Sequence, residues 1–308
     1  MQWRSAETML APDAGIVGIV GLGLVGQAIA GRLRSAGWTI LGFDLRADAS
    51  AAFRAAGGHV ANSAREVGQR AGCVLLAVFD THDVVGLVDQ SDGLLGSGHQ
   101  IRTLIDCSTG QPELLQSLAA GLATRGVRFL EAPLSGSSRQ IAAGEATLLL
   151  GGDAEVVHDC RNLLDAMAGR RIHVGTAGMG ARAKLATNLV LGLNRAVLAE
   201  GMVFAESLGI APEDFLAMVL ATPARSAAAE TKGPLMVRNE FAPQSRIRQH
   251  LKDVDLILDC ALATGLTLPF SQAHAQLMRR AVAAGDGDLD NAAIIRQLRP
   301  GGAIPQTQ

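Results

Sequence analysis

Residues 16–26 read IVGIVGLGLVG, and this stretch decides the fold of the 308-residue chain. Its first five residues are apolar and mostly β-branched, which is typical of a buried strand. Residues 27–36 follow with the pattern of a helix. The glycines between them, Gly21, Gly23 and Gly26, have the spacing GxGxxG, so the stretch predicts a strand, a tight turn and a helix in succession.

The same alternation continues along the first half of the chain. From residue 15 to about 174, short apolar runs alternate with amphipathic segments of helix length. Continuous apolar runs are expected of parallel strands that are covered on both faces. We therefore predict an α/β fold with an N-terminal Rossmann-type doubly wound domain. The predicted strands are residues 16–20, 38–43, 73–78, 103–106, 127–130, 147–150 and 172–174.

The pattern changes after Gly178. Residues 181–299 contain only helical patterns, and the first of them, 181–208, contains no proline. The sequence thus predicts a Rossmann-type domain at 1–177, with a flexible leader at 1–13, and an all-α substrate and oligomerisation domain at 178–308, with a mobile tail at 300–308. Helix breaks are expected near residues 209–212, 222–223, 233–234, 242–243, 265–269 and 285–288.

The glycine turn predicts a dinucleotide site at the carboxyl end of the first strand. Gly21 would form the tight turn, Gly23 would let the backbone approach a pyrophosphate, and Gly26 would let the helix pack closely on the strand. The pyrophosphate would lie at the helix N-terminus, where free N–H groups favour an anion. Such a motif can also merely shape a turn, but its place at the start of an α/β domain favours a ligand.

Asp44 bears on the choice of cofactor. It ends the second predicted strand, about 20 residues after the motif, where a carboxylate meets the adenosine ribose. Its charge would accept hydrogen bonds from a 2′-hydroxyl and repel a 2′-phosphate, so NAD is favoured over NADP. Arg46 keeps NADP open, because a guanidinium binds phosphate or stacks on adenine. The expected cofactor contacts here are Gly21, Leu22, Gly23, Leu24, Val25, Gly26, Asp44, Leu45 and Arg46.

Loops after later strands should border the nicotinamide, because ligands of such sheets lie at the carboxyl ends of the strands. Val78 and Phe79 follow one strand, and Thr109 follows another. Thr81 and Thr109 could instead be local turn or capping residues.

Two further features could form a reacting end. Residues 131–137, EAPLSGS, follow a predicted strand, and their N–H groups and a hydroxyl could hold a carboxylate, although an ordinary surface loop fits the same pattern. Lys184 and Asn188 are four residues apart in the predicted long helix, so they project from one face. A lysine on such a helix is usually solvated, so the pair alone establishes no site.

Composition narrows the partners to small molecules. Net charge is −2 and the basic residues are scattered along the sequence, so no basic patch that would bind nucleic acid is indicated. The four cysteines form no CxxC pair, so we expect a reducing compartment and no metal site. We found no apolar run of about 18 residues and no signal-peptide core, and therefore predict a soluble, cytoplasmic protein without a membrane span.

Taken in order, these residues resemble the β-hydroxyacid dehydrogenases, which include 3-hydroxyisobutyrate dehydrogenase, tartronate semialdehyde reductase and L-threonate dehydrogenase. The likeness covers nearly the whole chain, through the glycine turn, DCST at 106–109, APLSG at 132–136, GMG at 178–180, Lys184, Asn188 and KD at 252–253.

The resemblance implies an NAD-dependent oxidoreductase for a small hydroxy acid or oxo acid, with Lys184 as catalytic acid/base. It implies that substrate is bound by Ser135, Gly136, Ser137 and Asn188, and that Val78, Phe79, Asp83, Thr109 and Lys252 lie beside the cofactor. It also implies a homo-oligomer, either a dimer or a tetramer.

The chain departs from the family pattern in places. Glu131 stands where aspartate is usual, Ser137 replaces a glycine, Thr187 replaces an asparagine, and Phe79-Asp80 replaces a Leu-Pro type pair. These departures leave the reaction class intact and the substrate open, although residues 252–258 and 290–296 look most like the threonate branch. Two alternatives remain: an imine reductase, which commonly lacks a lysine at this position, and a non-catalytic dinucleotide-binding regulator.

Overall fold

The computed structural model of the chain describes residues 10–12 and 15–299. The expected leader at 1–13 lies outside these residues except for 10–12, and the expected tail at 300–308 lies outside them entirely. Within the described part of the leader, the Leu10 N–H donates to the Asp159 carbonyl at 3.2 Å.

The chain divides into two compact units, of which the first ends at Lys184 and the second begins at Leu185. This division falls inside one long helix, Met179–Ser207. The predicted domain boundary after residue 177 stays a prediction.

A mixed sheet forms the centre of the first unit. Its first six positions follow the order β3-β2-β1-β4-β5-β6, and all of these neighbours are parallel. Strand β8 then pairs antiparallel with β6 and with β7, and parallel with β9. The strands are β1 Ile16–Val20, β2 Thr39–Phe43, β3 His59–Val60, β4 Cys73–Leu76, β5 Thr103–Asp106, β6 Arg128–Glu131, β7 Leu134–Ser135, β8 Thr147–Gly152 and β9 Arg170–Gly175. The predicted Rossmann-type doubly wound fold is confirmed.

Each central strand contributes to two apolar cores because successive side chains point to opposite faces. In β1, Ile19 belongs to one cluster and Val20 to the other. In β4, Leu75 and Leu76 divide in the same way. Helices cover both faces: α1 Leu24–Ser35, α2 Ala47–Ala55, α3 Ala64–Arg70, α4 Thr81–Asp89, α5 Pro112–Thr124, α6 Ser138–Ala143, α7 Ala154–Asp159 and α8 Arg161–Met167.

Helix α9, Met179–Ser207, leads from the first unit into the second, which is built from helices as predicted. Its other helices are α10 Pro212–Ala221, α11 Ala227–Arg238, α12 Ile247–Ala263 and α13 Pro269–Ala283, followed by 3₁₀-helices at Asp286–Asp288 and Asn291–Gln297. Side chains from these elements, among them Met202, Met236 and Met278, form one apolar core.

Two local predictions are wrong. The expected break at 233–234 is absent, because Pro234 lies inside α11 and Gly233 lets Leu216 of α10 pack against it. Tertiary packing here outweighs the loss of one backbone donor. The capping role considered for Thr81 is also wrong, because the N-cap of α4 is Asp80, whose Oδ1 accepts the Asp83 N–H at 3.0 Å, and Thr81 is the first residue inside the helix.

Helix α9 is long and apolar enough to cross a membrane by length and composition alone, which the run-by-run reading of the sequence did not detect. One such helix is weak evidence for a span, because core helices of soluble proteins pass the same test. Buried polar side chains along it, including Lys184, Asn188 and Arg195, are typical of a helix packed within protein.

Candidate functional site

Two glycines of the turn between β1 and α1 are required by the fold itself. Gly21 has φ +94°, and a Cβ there would lie 2.3 Å from the Ala77 carbonyl oxygen. A Cβ on Gly26 would lie 1.8 Å from the Gly21 carbonyl oxygen. Any side chain at either position would therefore force the strand and helix apart.

Gly23 differs. Apart from its adjacent residues, the nearest atom to a Cβ at this position would be Arg46 Nη2, at an ordinary contact distance of 3.6 Å. Gly23 is the N-cap of α1 and supplies no side-chain hydrogen bond to the N–H groups of the first turn, where Leu24 and Val25 are half-buried. The protein's packing does not need glycine here, whereas an approaching pyrophosphate does. The turn therefore fits a dinucleotide.

Asp44 ties the next loop to this turn. Its carboxylate accepts the Leu22 N–H at 2.7 Å and the Arg46 N–H at 2.8 Å, and it forms an ion pair of 3.0 Å with the Arg46 guanidinium. Burial alone would raise the pKa of Asp44, but the hydrogen bonds from Arg46 and Leu22 outweigh it and hold the pKa below its ordinary value. The turn therefore has a charged carboxylate fixed beside it, at the residue predicted to meet the ribose.

The loops after β4 and β5 are joined by two hydroxyl groups. Ser108 Oγ accepts the Val78 N–H at 3.1 Å, and Thr81 Oγ1 accepts the Gln111 N–H at 2.8 Å. The Ser108 N–H in turn donates to Asp106 Oδ1 at 2.9 Å. These contacts fix the two loops at the carboxyl ends of adjacent strands, the edge at which ligands of such sheets bind.

The remaining predicted cofactor contacts of the first unit differ in exposure. Leu22 is fully buried in the core, so only its backbone is available to a ligand. Leu45 and Phe79 expose 89% and 43% of their surface, and the other three are half-buried or exposed: Val78, Asp83 and Thr109.

The predicted carboxylate loop begins at the short strand β7. Gly136 has φ +151°, and a Cβ there would meet Ala146 at 3.0 Å, so the loop needs glycine at this point. Ser137 forms a capping box at the start of α6, in which its Oγ accepts the Gln140 N–H and the Gln140 side chain accepts the Ser137 N–H. The Ser137 hydroxyl therefore has a structural task, which the sequence reading did not assign to it.

Lys184 lies beside this loop. It is 8% exposed, and its Nζ donates to the Leu134 carbonyl at 2.6 Å, next to Ser135. The first unit therefore brings together the side chain of the predicted acid/base and the backbone at the start of the predicted carboxylate loop, although the two are 50 residues apart in the sequence.

Glu131 was not predicted as a site residue, yet it organises this region. It is 1% exposed; one carboxylate oxygen accepts the Gly178 N–H, and the other accepts the Ala181 N–H at 2.6 Å. Burial raises the pKa of Glu131 to about 7, against the lowering effect of these two N–H groups. Its partners lie 47 and 50 residues along the chain, so no local sequence pattern points to them.

In the second unit, Asp253 connects two predicted site residues. Its Oδ2 accepts a hydrogen bond from Asn188 Nδ2 at 2.9 Å, and its Oδ1 lies 3.1 Å from Lys252 Nζ. Asn188 and Asp253 are both buried. The KD pair quoted from the sequence was the available signal for Asp253, whose contacts orient the Asn188 amide.

Comparison with known proteins agrees with this geometry. Residues 16–180 match the family model described as the NAD binding domain of 6-phosphogluconate dehydrogenase. Residues 178–298 match the model described as NAD-binding of NADP-dependent 3-hydroxyisobutyrate dehydrogenase.

Similar proteins span almost the whole chain. An L-threonate dehydrogenase of Cupriavidus necator is 29% identical over 94% of this chain and 97% of its own length. An NAD-dependent L-serine dehydrogenase of Pseudomonas aeruginosa is 32% identical over 92% and 98%. The crystal structure of 3-hydroxyisobutyrate dehydrogenase from Salmonella typhimurium is 29% identical, covers 92% of this chain and 99% of its own, and has a TM-score of 0.81.

An imine reductase of a Pseudomonas species shares the fold with a TM-score of 0.61, at 21% identity over 92% of this chain and 99% of its own. At that identity the likeness concerns the fold alone. The family models, the relatives and the ordered site residues agree, and the chain therefore belongs to the β-hydroxyacid dehydrogenases, a family of NAD(P)-dependent oxidoreductases.

Proposed function

We propose that this protein transfers a hydride between NAD and a small hydroxy acid, with Lys184 as the general acid/base. The observation that carries the proposal is the buried Lys184 Nζ held at the carbonyl of Leu134, directly before the loop at Ser135 and Gly136. Bound NAD would supply the hydride acceptor of the oxidation.

The proposed task of the lysine follows from the balance of the reaction. When the carbinol carbon gives up a hydride, the hydroxyl oxygen must lose a proton, and neutral Lys184 would accept it. In the reverse reaction the ammonium form would return that proton to the carbonyl oxygen. The backbone of Ser135 and Gly136 would hold the substrate carboxylate, and Asn188, oriented by Asp253, would hold a hydroxyl group.

NAD is the proposed cofactor, with NADP less favoured. The proposed ribose contact, Asp44, would present a negative charge that repels a 2′-phosphate, and Arg46 is already paired with it. Thr109 and Lys252 are proposed to border the nicotinamide half. The name of a relative, NAD-dependent L-serine dehydrogenase, supports the same preference.

The proposed substrate is a short hydroxy acid of the 3-hydroxyisobutyrate, glycerate or threonate type. The named relatives act on threonate, hydroxyisobutyrate and serine, which all combine a carboxylate with a hydroxyl group on a short carbon chain. Their variety leaves the individual acid to a rate survey with 3-hydroxyisobutyrate, glycerate, threonate and 4-hydroxybutyrate, each with NAD and with NADP.

A homo-oligomer, dimer or tetramer, is proposed for the assembly, in the cytoplasm. Helix α9 and the residue that follows it carry exposed apolar side chains at a spacing of seven, seven and four residues, namely Val190, Val197 and Phe204 in the helix and Leu208 directly after it. Such a stripe on one helix face is typical of a protein–protein interface.

The decisive experiment is the substitution Lys184→Met, with Arg182→Met as the matched control on the same helix. Removal of an acid/base group lowers kcat by about 10²–10⁴-fold, and we expect that loss with little change in NADH affinity. Arg182 is exposed over 41% of its side chain, pairs with the more exposed Glu113 in an ion pair of 3.0 Å, and should tolerate the change. Undiminished turnover in Lys184→Met would disprove the role. Cyclic imines reduced faster than every oxo acid would favour the imine reductase, and NADH binding without any turnover would favour a regulator.

A further inference from the structure

One short segment holds the start of α9 at two points. Glu131 accepts the backbone N–H groups of Gly178 and Ala181, and three residues later the Leu134 carbonyl accepts from Lys184 Nζ. The first contact fixes the beginning of the helix, and the second fixes a side chain one turn further on.

The first contact also satisfies the helix end. The first N–H groups of a helix lack partners within it, and the aligned peptide dipoles favour a negative charge there. In the 29-residue helix α9 a buried carboxylate of the protein fills this position. Two separate N–H donors bind its two oxygens, so the helix start can neither rotate nor slide without loss of a hydrogen bond.

Glycines make room for this carboxylate. A Cβ on Gly180 would lie 2.7 Å from Glu131 Oε2, and a Cβ on Gly151 would lie 2.4 Å from the Gly180 nitrogen. The close approach of β8, the Glu131 side chain and the first turn of α9 therefore depends on both positions having no side chain.

We propose that Glu131 is a positioning residue for hydride transfer: by fixing the first turn of α9 it determines where Lys184 Nζ is held, and so it acts on kcat and not on cofactor binding. This inference rests on the proposed function. Glu131 itself touches neither reacting atom, because its carboxylate is directed to backbone N–H groups.

The test compares Glu131→Gln, Glu131→Asp and Gly180→Ala with the control Glu113→Gln. Glutamine turns one acceptor into a donor that faces an N–H group, whereas aspartate keeps the charge on a shorter chain. Glu113 also contacts α9, through an exposed ion pair of 3.0 Å with Arg182, but it leaves the first-turn N–H groups untouched. The measurements are kcat and KM with the best hydroxy acid of the survey, and the Kd of NADH.

We expect kcat to fall at least about tenfold in Glu131→Gln, while the Kd of NADH stays within about twofold of wild type. Glu131→Asp should recover part of the lost kcat. Gly180→Ala should lower kcat too, and adding it to Glu131→Gln should cost less than the product of the two single effects, because both disturb one contact. The control should match wild type.

Wild-type kcat in Glu131→Gln would overturn the inference, as would equal losses in kcat and NADH affinity, which indicate general damage. If Glu131→Gln does not fold, wild-type kcat in both Glu131→Asp and Gly180→Ala would overturn it. If Lys184→Met loses activity while Glu131→Gln keeps it, only the positioning role of Glu131 is disproved. If Lys184→Met keeps its activity, the proposed function of Lys184 is disproved as well.

Discussion

The N-termini of helices α1 and α9 present the same physical problem with two different solutions. Each helix begins after a glycine-containing turn that follows a strand of the sheet, and in each the first N–H groups have no acceptor within the helix and lie at the positive end of its dipole. At α1 the N-cap is Gly23, which supplies no side-chain acceptor. At α9 the acceptor is the buried carboxylate of Glu131. One helix start is suited to an anionic ligand, and the other is completed by a carboxyl group of the protein itself.

The two carboxylates near these turns accept the same number of backbone N–H groups, but their pKa values are shifted in opposite directions. Asp44 and Glu131 each accept two backbone N–H groups. Asp44 also has the Arg46 guanidinium beside it, and its pKa is lowered. Glu131 is more deeply buried, with Asp106 adding a like charge, and its pKa is raised to about 7. Two N–H donors alone do not outweigh burial, whereas an added guanidinium does.

The largest expected effect distinguishes the glycine that the packing of the α1 turn requires from the glycine that a bound ligand would require. Gly26→Ala should lower the free energy of unfolding by about 3 kcal/mol, because its Cβ would overlap the Gly21 carbonyl oxygen. Gly23→Ala should change that free energy by about 1 kcal/mol or less and yet raise the Kd of NADH at least about tenfold. Urea unfolding and NADH titration measure the two. Equal loss of stability in both variants would break the contrast between the helix starts.

A smaller effect is expected in the pH dependence of stability, measured by urea unfolding of wild type and Glu131→Gln. The unfolded chain loses the Glu131 proton near its ordinary pKa of 4.5, whereas the folded chain keeps it to about pH 7. The contribution of Glu131 is therefore complete below pH 4.5 and is lost as the pH rises from there through 7, by about 3 kcal/mol at most.

Glu131→Gln should lack this decline between pH 4.5 and 7. Asp44 contributes with the opposite sign: its lowered pKa gives stability that is present above its ordinary value and lost as the pH falls below it. Parallel curves for wild type and Glu131→Gln would contradict the assignment of the raised pKa to Glu131.

Long-range contacts also limit what the sequence could predict. The strand pattern at 103–106 coincides with β5, and Asp44 directly follows β2, close to the predicted end of that strand. Strands β3 and β7 are two residues each and are defined by their partners, Leu41 for His59 and Leu148 for Leu134. Periodicity cannot reveal an element of that length. Glu131 escaped notice for the same reason, because its partners lie far along the chain.

At the proposed ribose contact, Asp44→Asn should raise the KM for NAD about tenfold and reduce the preference over NADP, because a charged acceptor becomes a neutral amide. Asp48→Asn is the matched control, since this exposed carboxylate in α2 lies outside the contacts of the turn. Steady-state kinetics with both cofactors measure the effect. An unchanged KM for NAD in Asp44→Asn would mean that the carboxylate serves only to pair with Arg46.

The smallest effect concerns the two possible tasks of Ser137. Because its hydroxyl caps α6, Ser137→Ala should lower the free energy of unfolding by about 1 kcal/mol. Ser137→Gly should lower it by only about 0.3 kcal/mol. If the hydroxyl also binds substrate, both variants should raise the substrate KM equally. Unchanged KM values would leave Ser135 and Gly136 as the carboxylate loop and Ser137 as a cap alone.

The border between the compact units runs through a continuous helix, between Lys184 and Leu185. A gene cut at that border would produce one fragment ending on the proposed acid/base and another beginning at Leu185, three residues before Asn188. Neither fragment would retain the helical turn that sets the spacing of these two side chains. Domain exchange with a relative should therefore be joined elsewhere, before Gly178 or beyond Ser207, so that this helix is inherited whole.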